Sequence, residues 1–310
     1  MEKIKLKNDI VVSSVCLGAM NFGTSTDEKS SFAVLDAYVD AGGNFIDTSN
    51  NYAHWQGTGD ESETLLGKWL KERKNRDKVV IATKVGFDRH GEGAGLKRGQ
   101  IEFWIDESLR KLGTDYVDIY YAHSDDAQTP IEETVEAFDK LVKKGKVRML
   151  GASNFDTWRF DRARAYAKTN GLAEYTIMQQ RFSYLYEKSS CAPTYVFNEY
   201  VGRERLRYLK EENIPLVAYS CLCKGGYERP ERLPQSCEKG ERLEFLATLA
   251  AEKKMTKSAL VISYLTNFHR TGETRVIPLF SSSTPEHFLE TLSGADIKLT
   301  DEELLALKRA

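Results

Sequence analysis

No stretch of this 310-residue chain approaches the roughly 18 uncharged apolar residues that a membrane helix needs. The opening residues, MEKIKLKNDIVVSSVCLG, are charged and alternating, without the apolar run and cleavage site of a secretory leader. An excess of one charge is missing too. The 44 Lys and Arg stand against 46 Asp and Glu, a formal net charge of -2. Neither nucleic acid nor an anionic membrane is therefore an expected partner. The five cysteines, Cys16, Cys191, Cys221, Cys223 and Cys237, are few and odd in number. Cys221 and Cys223 are spaced C-x-C rather than C-x-x-C, and no other metal-ligand spacing stands out, so no metal is expected. Reduced thiols in a cytoplasmic protein are the reading. Proline-rich linkers and low-complexity tracts are absent, which predicts a single domain over residues 1–310. A G-x-G-x-x-G directly after the first strand is also absent. That strand runs into LGAMNFG, and GEGAGL (91–96) lies beyond the third strand, where it reads as a flexible loop. The doubly wound dinucleotide-binding sheet loses its main support.

What is present is a regular alternation. Eight short Val-, Ile- and Tyr-rich runs read as strands: 14–18, 44–48, 78–85, 116–123, 147–153, 175–179, 214–220 and 274–279. Their continuous apolar character is that of parallel strands covered on both faces. Helical patterns lie between them, at 27–42, 61–73, 98–113, 129–146, 157–171, 199–213, 241–255, 257–267 and 284–292. Thr129 is expected as the N-cap of its helix, with Pro130 at the first helical position. With 41% hydrophobic residues the chain can bury a large core. Eight strands alternating with helices predict a (β/α)8 TIM barrel.

A barrel of this kind carries its active site at the C-terminal strand ends. Those ends are polar here. The second strand, in NFIDTSNNYAHW, ends on Asp47, with Tyr52 in the loop beyond. The third ends on Lys84, the fourth on His123, the fifth on Ser153 and Asn154, and the sixth on Gln179. The seventh ends on Tyr219 and Ser220; the eighth ends on Pro278 and leads to Ser281, Ser282 and Ser283. Each residue alone has an ordinary structural use, but a shared rim would make an acid–base set of four of them. A phenol has a reference pKa near 10 and is a poor acid at neutral pH. Lys84 would lower it, Asp47 would keep Lys84 charged, and His123 would hold a carbonyl oxygen or share in proton transfer.

With these residues in view the chain resembles the aldo-keto reductase superfamily over nearly its whole length. The stretches that carry the resemblance are CLGAMNFG, FIDTSNNYAHW, VVIATKVG, SLRKLGTDYVDIYYAH, LVKKGKVRMLGASNF, QQRFSY, IPLVAYSCL and VIPLFSSSTPEHFLE. The resemblance implies a (β/α)8 barrel that interconverts a carbonyl (aldehyde, ketone or sugar-derived) and its alcohol by hydride transfer with a nicotinamide dinucleotide. It implies a catalytic tetrad of Asp47, Tyr52, Lys84 and His123. It implies Ser153, Asn154 and Gln179 at the nicotinamide carboxamide, Tyr219 against the ring, and Ser220 and Leu222 near the pyrophosphate. Ser281, Ser282 and Ser283 would meet the adenosine phosphates at a helix N-terminus, and Glu290 matches an adenine contact. The alternative is a cofactor-binding regulatory subunit without significant turnover, against which the intact tetrad argues.

Three features depart from the family pattern. His287 stands where an arginine is usual, and nothing from Val276 to Ile297 is Lys or Arg, which weakens the case for a 2′-phosphate. The serines, His287 or Lys224 are the candidates to compensate, and NADP(H) rather than NAD(H) remains the expectation. Cys221 replaces a proline and would be oxidisable if exposed. Asp125 and Asp126 follow the fourth strand, where they would either bind sugar hydroxyls or form a solvated turn. The substrate pocket is expected from Phe22, His54, Trp55 and Phe87, with Met20 and Trp158 at the lip. The segments from Leu185 to Asn198 and from Lys224 to Gly240 are expected to shape the substrate site or an oligomer contact. The sequence does not specify the substrate or the oligomeric state.

Overall fold

The computed structural model describes residues 1–88, 91, 94–186, 199–237 and 240–310. Cys191 and most of the segment from Leu185 to Asn198 lie outside the described residues, as do two positions within GEGAGL. Eight parallel strands close into a barrel. They are β3 (Cys16–Gly18), β4 (Phe45–Asp47), β5 (Val80–Val85), β6 (Val117–Ala122), β7 (Val147–Ser153), β8 (Tyr175–Arg181), β9 (Leu216–Tyr219) and β10 (Val276–Phe280). Each pairs with its sequence neighbour, and β10 closes the ring against β3 through Leu279 and Cys16. This is the (β/α)8 barrel read from the strand alternation. The helices α1 (Glu28–Asp40), α2 (Glu61–Arg73), α3 (Arg98–Leu112), α4 (Ile131–Lys143), α5 (Thr157–Thr169), α6 (Arg203–Glu211), α7 (Glu241–Glu252), α8 (Lys257–Asn267) and α9 (Pro285–Leu292) fall between or after the strands.

Two elements go beyond the sequence reading. The alternating N-terminus forms a hairpin of β1 (Lys3–Lys5) and β2 (Val11–Ser13), turning through Asn8 and Asp9, both at φ 55°. A last helix, α10 (Asp301–Arg309), starts from a capping box in which Thr300 and Glu303 satisfy each other's backbone N–H.

Several boundaries also differ from expectation. Pro130 is the N-cap of α4 rather than its first residue, and the Thr129 hydroxyl donates to Asp126. Helix α6 begins only at Arg203, because Tyr200 bridges to Arg181 in extended conformation. Strand β10 continues past Pro278 to Phe280.

The strands sort their side chains by the two-residue period. Phe45, Val80, Ala82, Ile119, Tyr121, Met149, Ile177, Val217 and Ile277 form one buried cluster with Ile4, Leu6, Ile10 and Val12 of the hairpin. This is the barrel interior, and the hairpin plugs its N-terminal mouth, tied on by the Asn8 amide donating to the Arg148 carbonyl at 2.7 Å. Gly151 belongs to this packing, since a Cβ there would sit 2.4 Å from the Tyr121 ring. The intervening residues, such as Ile46, Ile81, Tyr120 and Met178, face outward into a second cluster with Leu35, Leu66, Ile105, Phe138 and Leu260 of the helices. The next inward position above Phe45 is Asp47, above Ala82 is Lys84, above Tyr121 is His123, above Ile177 is Gln179, and above Val217 is Tyr219. The apolar filling of the barrel therefore gives way, within one pleat, to a polar layer at the C-terminal mouth.

Candidate active site

Asp47 and Lys84 are both fully buried, on adjacent strands whose register sets Asp47 opposite Ala82. The Lys84 ammonium donates to Asp47 Oδ2 at 2.6 Å, to the Thr48 carbonyl at 2.7 Å and to the Tyr52 hydroxyl at 2.6 Å. All three of its hydrogens are thus used, which is what lets a charged lysine persist without water. The Tyr52 hydroxyl donates in turn to Asp47 Oδ2 at 2.7 Å. The remaining carboxylate oxygen, Oδ1, accepts from Gln179 Nε2 at 2.8 Å. Tyr52 is carried there by a tight turn in which Ala53 takes φ 57°, a strained region for a residue with a Cβ.

These contacts change one electrostatic expectation. The Tyr52 pKa is raised well above its ordinary value, by burial first and then by the Asp47 charge and its hydrogen bond. Lys84 stands against the phenol, but the carboxylate that shares the hydroxyl outweighs it, so the phenol is held protonated. Burial lowers the Lys84 pKa, with Asp47 opposing. The His123 pKa is pushed well below the usual imidazole value by burial and then by the Lys84 charge, so the ring is neutral near pH 7.

His123 completes the cluster from the end of β6. Its ring lies edge-on to Phe87, with centroids 4.4 Å apart, and to Tyr52 at 5.9 Å. Its Nδ1 is 3.1 Å from the hydroxyl of Ser49, a buried residue two places beyond Asp47 that the sequence gives no reason to single out. Asp47, Tyr52, Lys84, His123 and Gln179 are thus one contiguous group.

Ser153, Asn154 and Tyr219 form a neighbouring group. Asn154, at φ 55°, donates through Nδ2 to the His123 carbonyl at 2.9 Å and to Ser153 Oγ at 3.0 Å. Its Oδ1 accepts from the Tyr219 hydroxyl at 2.8 Å. Asn154 therefore ties three strand ends together, and Ser153 keeps its own hydroxyl hydrogen to give. A donor hydroxyl, two carboxamides and a half-exposed aromatic ring beside a neutral imidazole fit the carboxamide and flat ring of a nicotinamide. Ser220 follows at φ 54° and is exposed, and Leu222 is half-buried. Beyond β10, Ser281 and Ser283 are exposed at the start of α9, where Thr284 accepts from the His287 backbone N–H. A helix N-terminus lined by serine hydroxyls is chemically compatible with a phosphate. His287, Glu290 and Lys224 are exposed.

Other expected site residues fall differently. Trp55 is 56% exposed, with its ring edge-on to His54, and Met20 and Trp158 are 41% and 59% exposed. Phe22 is fully buried in the apolar core, so its ring is not open to a ligand in this conformation. Asp125 is not open to a sugar hydroxyl, being paired with Arg159. Asp126 accepts from Leu96 N, Gln128 N and Thr129, a loop-organising role. Cys221 is buried and its thiol pKa is pushed up by that burial, which removes it as the oxidisable thiol. Cys223 is buried as well. A hydrogen bond from the Cys237 thiol, against the opposing effect of burial, brings its thiol pKa down to about 7.

A sequence model described as Aldo/keto reductase family matches residues 14–310. Among similar proteins, a norsolorinic acid reductase of Aspergillus flavus is 30% identical over 94% of this chain and 76% of its own length. A protein named norsolorinic acid reductase from Emericella nidulans is 30% identical over 96% and 78%. A probable aryl-alcohol dehydrogenase of Saccharomyces cerevisiae is 29% identical over 90% and 87%.

Proposed function

The chain belongs to the aldo/keto reductase family, and from that premise we propose that it is an oxidoreductase interconverting a carbonyl and its alcohol with NADP(H), Tyr52 serving as the proton donor and acceptor. The observation that carries this reading is the position of the Tyr52 hydroxyl between Asp47 Oδ2 at 2.7 Å and the Lys84 ammonium at 2.6 Å.

When bound, the nicotinamide supplies the hydride. Ser153, Asn154 and Gln179 would hold its carboxamide, Tyr219 its ring, Ser220 and Leu222 its pyrophosphate, and the serines after β10 with His287 and Glu290 its adenosine end. The protein's own part is proton management. Tyr52 is loaded at neutral pH because burial and Asp47 both oppose its ionisation. An alkoxide forming at the substrate oxygen is a far stronger base than a phenolate, so it takes this proton readily. The phenolate left behind faces the Lys84 ammonium, whose charge Asp47 sustains. His123 stands beside Tyr52 and meets the same substrate oxygen. A module that only bound the nucleotide would have no use for a buried lysine–carboxylate pair shared with a phenol, which favours turnover over a regulatory role.

The substrate is an aryl aldehyde or aryl alcohol. The exposed Trp55 and Trp158 and the Phe87 ring against His123 give flat apolar surface around the mouth. The yeast relative's name points the same way.

The test is titration with NADPH and with NADH, followed by an absorbance assay against substituted benzaldehydes, aliphatic aldehydes and sugar aldehydes. The expected result is NADPH-dependent reduction of the benzaldehydes. Tyr52→Phe should lose at least about a hundredfold in turnover while nucleotide affinity is kept. A fully active Tyr52→Phe enzyme would refute the mechanism. Nucleotide binding without turnover of any carbonyl would refute the activity.

A further inference from the structure

Resting on the reading above, in which Lys84 stands against the Tyr52 phenolate, we propose that Glu63 is a positioning residue of the site. Its carboxylate grips the back of β5 through Thr83 and supplies a second counter-charge for the Lys84 ammonium from the far side of the strand.

Helix α2 follows directly on the loop that carries Tyr52. Two neighbouring residues of its first turn, Ser62 and Glu63, are fully buried. Ser62 donates to the Ala19 carbonyl at 2.8 Å, and its one hydrogen is spent there. The Thr48 hydroxyl, 2.7 Å away, therefore donates to Ser62. Glu63 Oε1 accepts from the Thr83 hydroxyl at 2.6 Å. Thr48 is the residue after Asp47, and Thr83 is the residue before Lys84. The Thr48 carbonyl is itself a Lys84 partner. One helical turn thus holds, from behind, the two strand ends that present Asp47 and Lys84 to Tyr52.

Glu63 also brings a charge. Its Oε2 pairs with Lys111 Nζ of α3 at 3.0 Å, but the same ammonium lies 2.6 Å from Asp60 Oδ1. Two carboxylates share one lysine, so one negative charge is in excess among the three groups. Asp60 is 38% exposed and screened by water, whereas Glu63 is fully buried and acts through the protein. Lys84 faces Asp47 of β4, Tyr52 beyond it, Cys16 of β3 and His123 of β6. The Cys16 thiol and the Tyr52 phenol are raised and the His123 imidazole is lowered, so near pH 7 these three are neutral. Burial lowers the Lys84 pKa; Asp47 opposes it most strongly, and Glu63 acts in the same direction. Among these groups Asp47 and Glu63 are the two that hold a negative charge against the buried lysine at neutral pH.

The test begins without substrate. Proton–carbon correlation spectra of protein labelled at the lysine ε-carbon follow the Lys84 titration, with Lys84→Met used for assignment. Glu63→Gln keeps an acceptor for Thr83 and removes the charge, so the Lys84 midpoint should fall by roughly half a pH unit or more. An unmoved midpoint overturns the proposal. In turnover, the alkaline limb of kcat should move down with that midpoint while nucleotide affinity is kept. Thr83→Val strands Glu63 Oε1 and should lower kcat by roughly tenfold, and Thr83→Ser should restore it; this pair carries the test where Glu63→Gln does not fold. Variants that lose melting temperature alone, with kcat and its pH profile unchanged, would mark a merely structural ion pair and overturn the proposal. The spectrum is read without turnover, so a shifted Lys84 midpoint in a protein that reduces no carbonyl would support the role of Glu63 while counting against the functional reading.

Discussion

Replacing Asp47 with asparagine isolates the interaction on which the whole site rests. The substitution keeps the shape and removes only the charge. Lys84 would then be fully buried with neutral partners only, among them the Thr48 carbonyl and the Tyr52 hydroxyl. Removing one member of a buried ion pair typically costs about 3–5 kcal/mol, because the surviving charge is stranded. At roughly 2 °C per kcal/mol for a chain of this size, the melting temperature of Asp47→Asn should fall by about 6–10 °C near neutral pH.

The loss should also carry a pH signature. Burial already lowers the Lys84 pKa, and Asp47 is the first effect opposing it, so the variant's lysine is pushed lower still. The unfolded lysine holds its proton up to about pH 10.4. Between the folded and unfolded pKa values the unfolded state therefore binds more protons, and stability rises with pH. The deficit relative to the parent protein should shrink as pH is raised from about 7 to about 10. Adding Lys84→Met removes the stranded charge and should recover most of the lost stability, since a buried pair replaced by an apolar group of similar size is often neutral. Thermal melts of the parent, both single variants and the double variant complete the cycle. An Asp47→Asn protein within about 1 kcal/mol of the parent, or a double variant no more stable than Asp47→Asn, would refute the reasoning.

Three further outcomes are expected. The rate of carbonyl reduction should be flat from about pH 6 to about pH 9. Over that range Tyr52, its pKa raised, stays protonated, and His123, its pKa lowered, stays neutral; an inflection near the usual imidazole value in kcat/KM would contradict this. Among the described cysteines Cys223 should be alkylated first, its rate rising through about pH 7, whereas burial pushes the Cys16 and Cys221 thiols up; peptide mapping that finds Cys221 labelled ahead of Cys223 would be the contrary result. His287→Arg should tighten NADPH by about tenfold or more, the worth of a charge-assisted hydrogen bond, and leave NADH unchanged. Equal gains for both nucleotides in a binding titration would place the 2′-phosphate elsewhere.

How much of this was legible in the sequence follows from which interactions are local. The eight barrel strands could be read because a strand covered on both faces must be continuously apolar, and because the switch to Asp47, Lys84, His123 and Gln179 falls at fixed two-residue steps above Phe45, Ala82, Tyr121 and Ile177. That period operates within each strand, so it survives in a one-dimensional string. The plugging hairpin obeys the same period, with Ile4, Leu6, Ile10 and Val12 facing the interior, yet its three-residue strands and surrounding charges disguise it. The capping box before α10 is local as well, with Thr300 and Glu303 three residues apart in TDEELLALK.

The electrostatics at the mouth depend on partners far apart in the chain. Arg159, on α5, neutralises Asp125 in the loop after β6, which no local pattern around Asp125 and Asp126 predicts. Tyr52 is raised rather than lowered because burial first, and then the Asp47 charge and its hydrogen bond, oppose ionisation of the phenol, and burial is set by the whole barrel rather than by the local sequence. Ser49 is the sharpest case. It lies two residues from Asp47, yet its significance comes from a partner 74 residues away. A serine in a polar loop is unremarkable until a buried imidazole nitrogen stands 3.1 Å from its hydroxyl, and no pattern within the loop points to that partner.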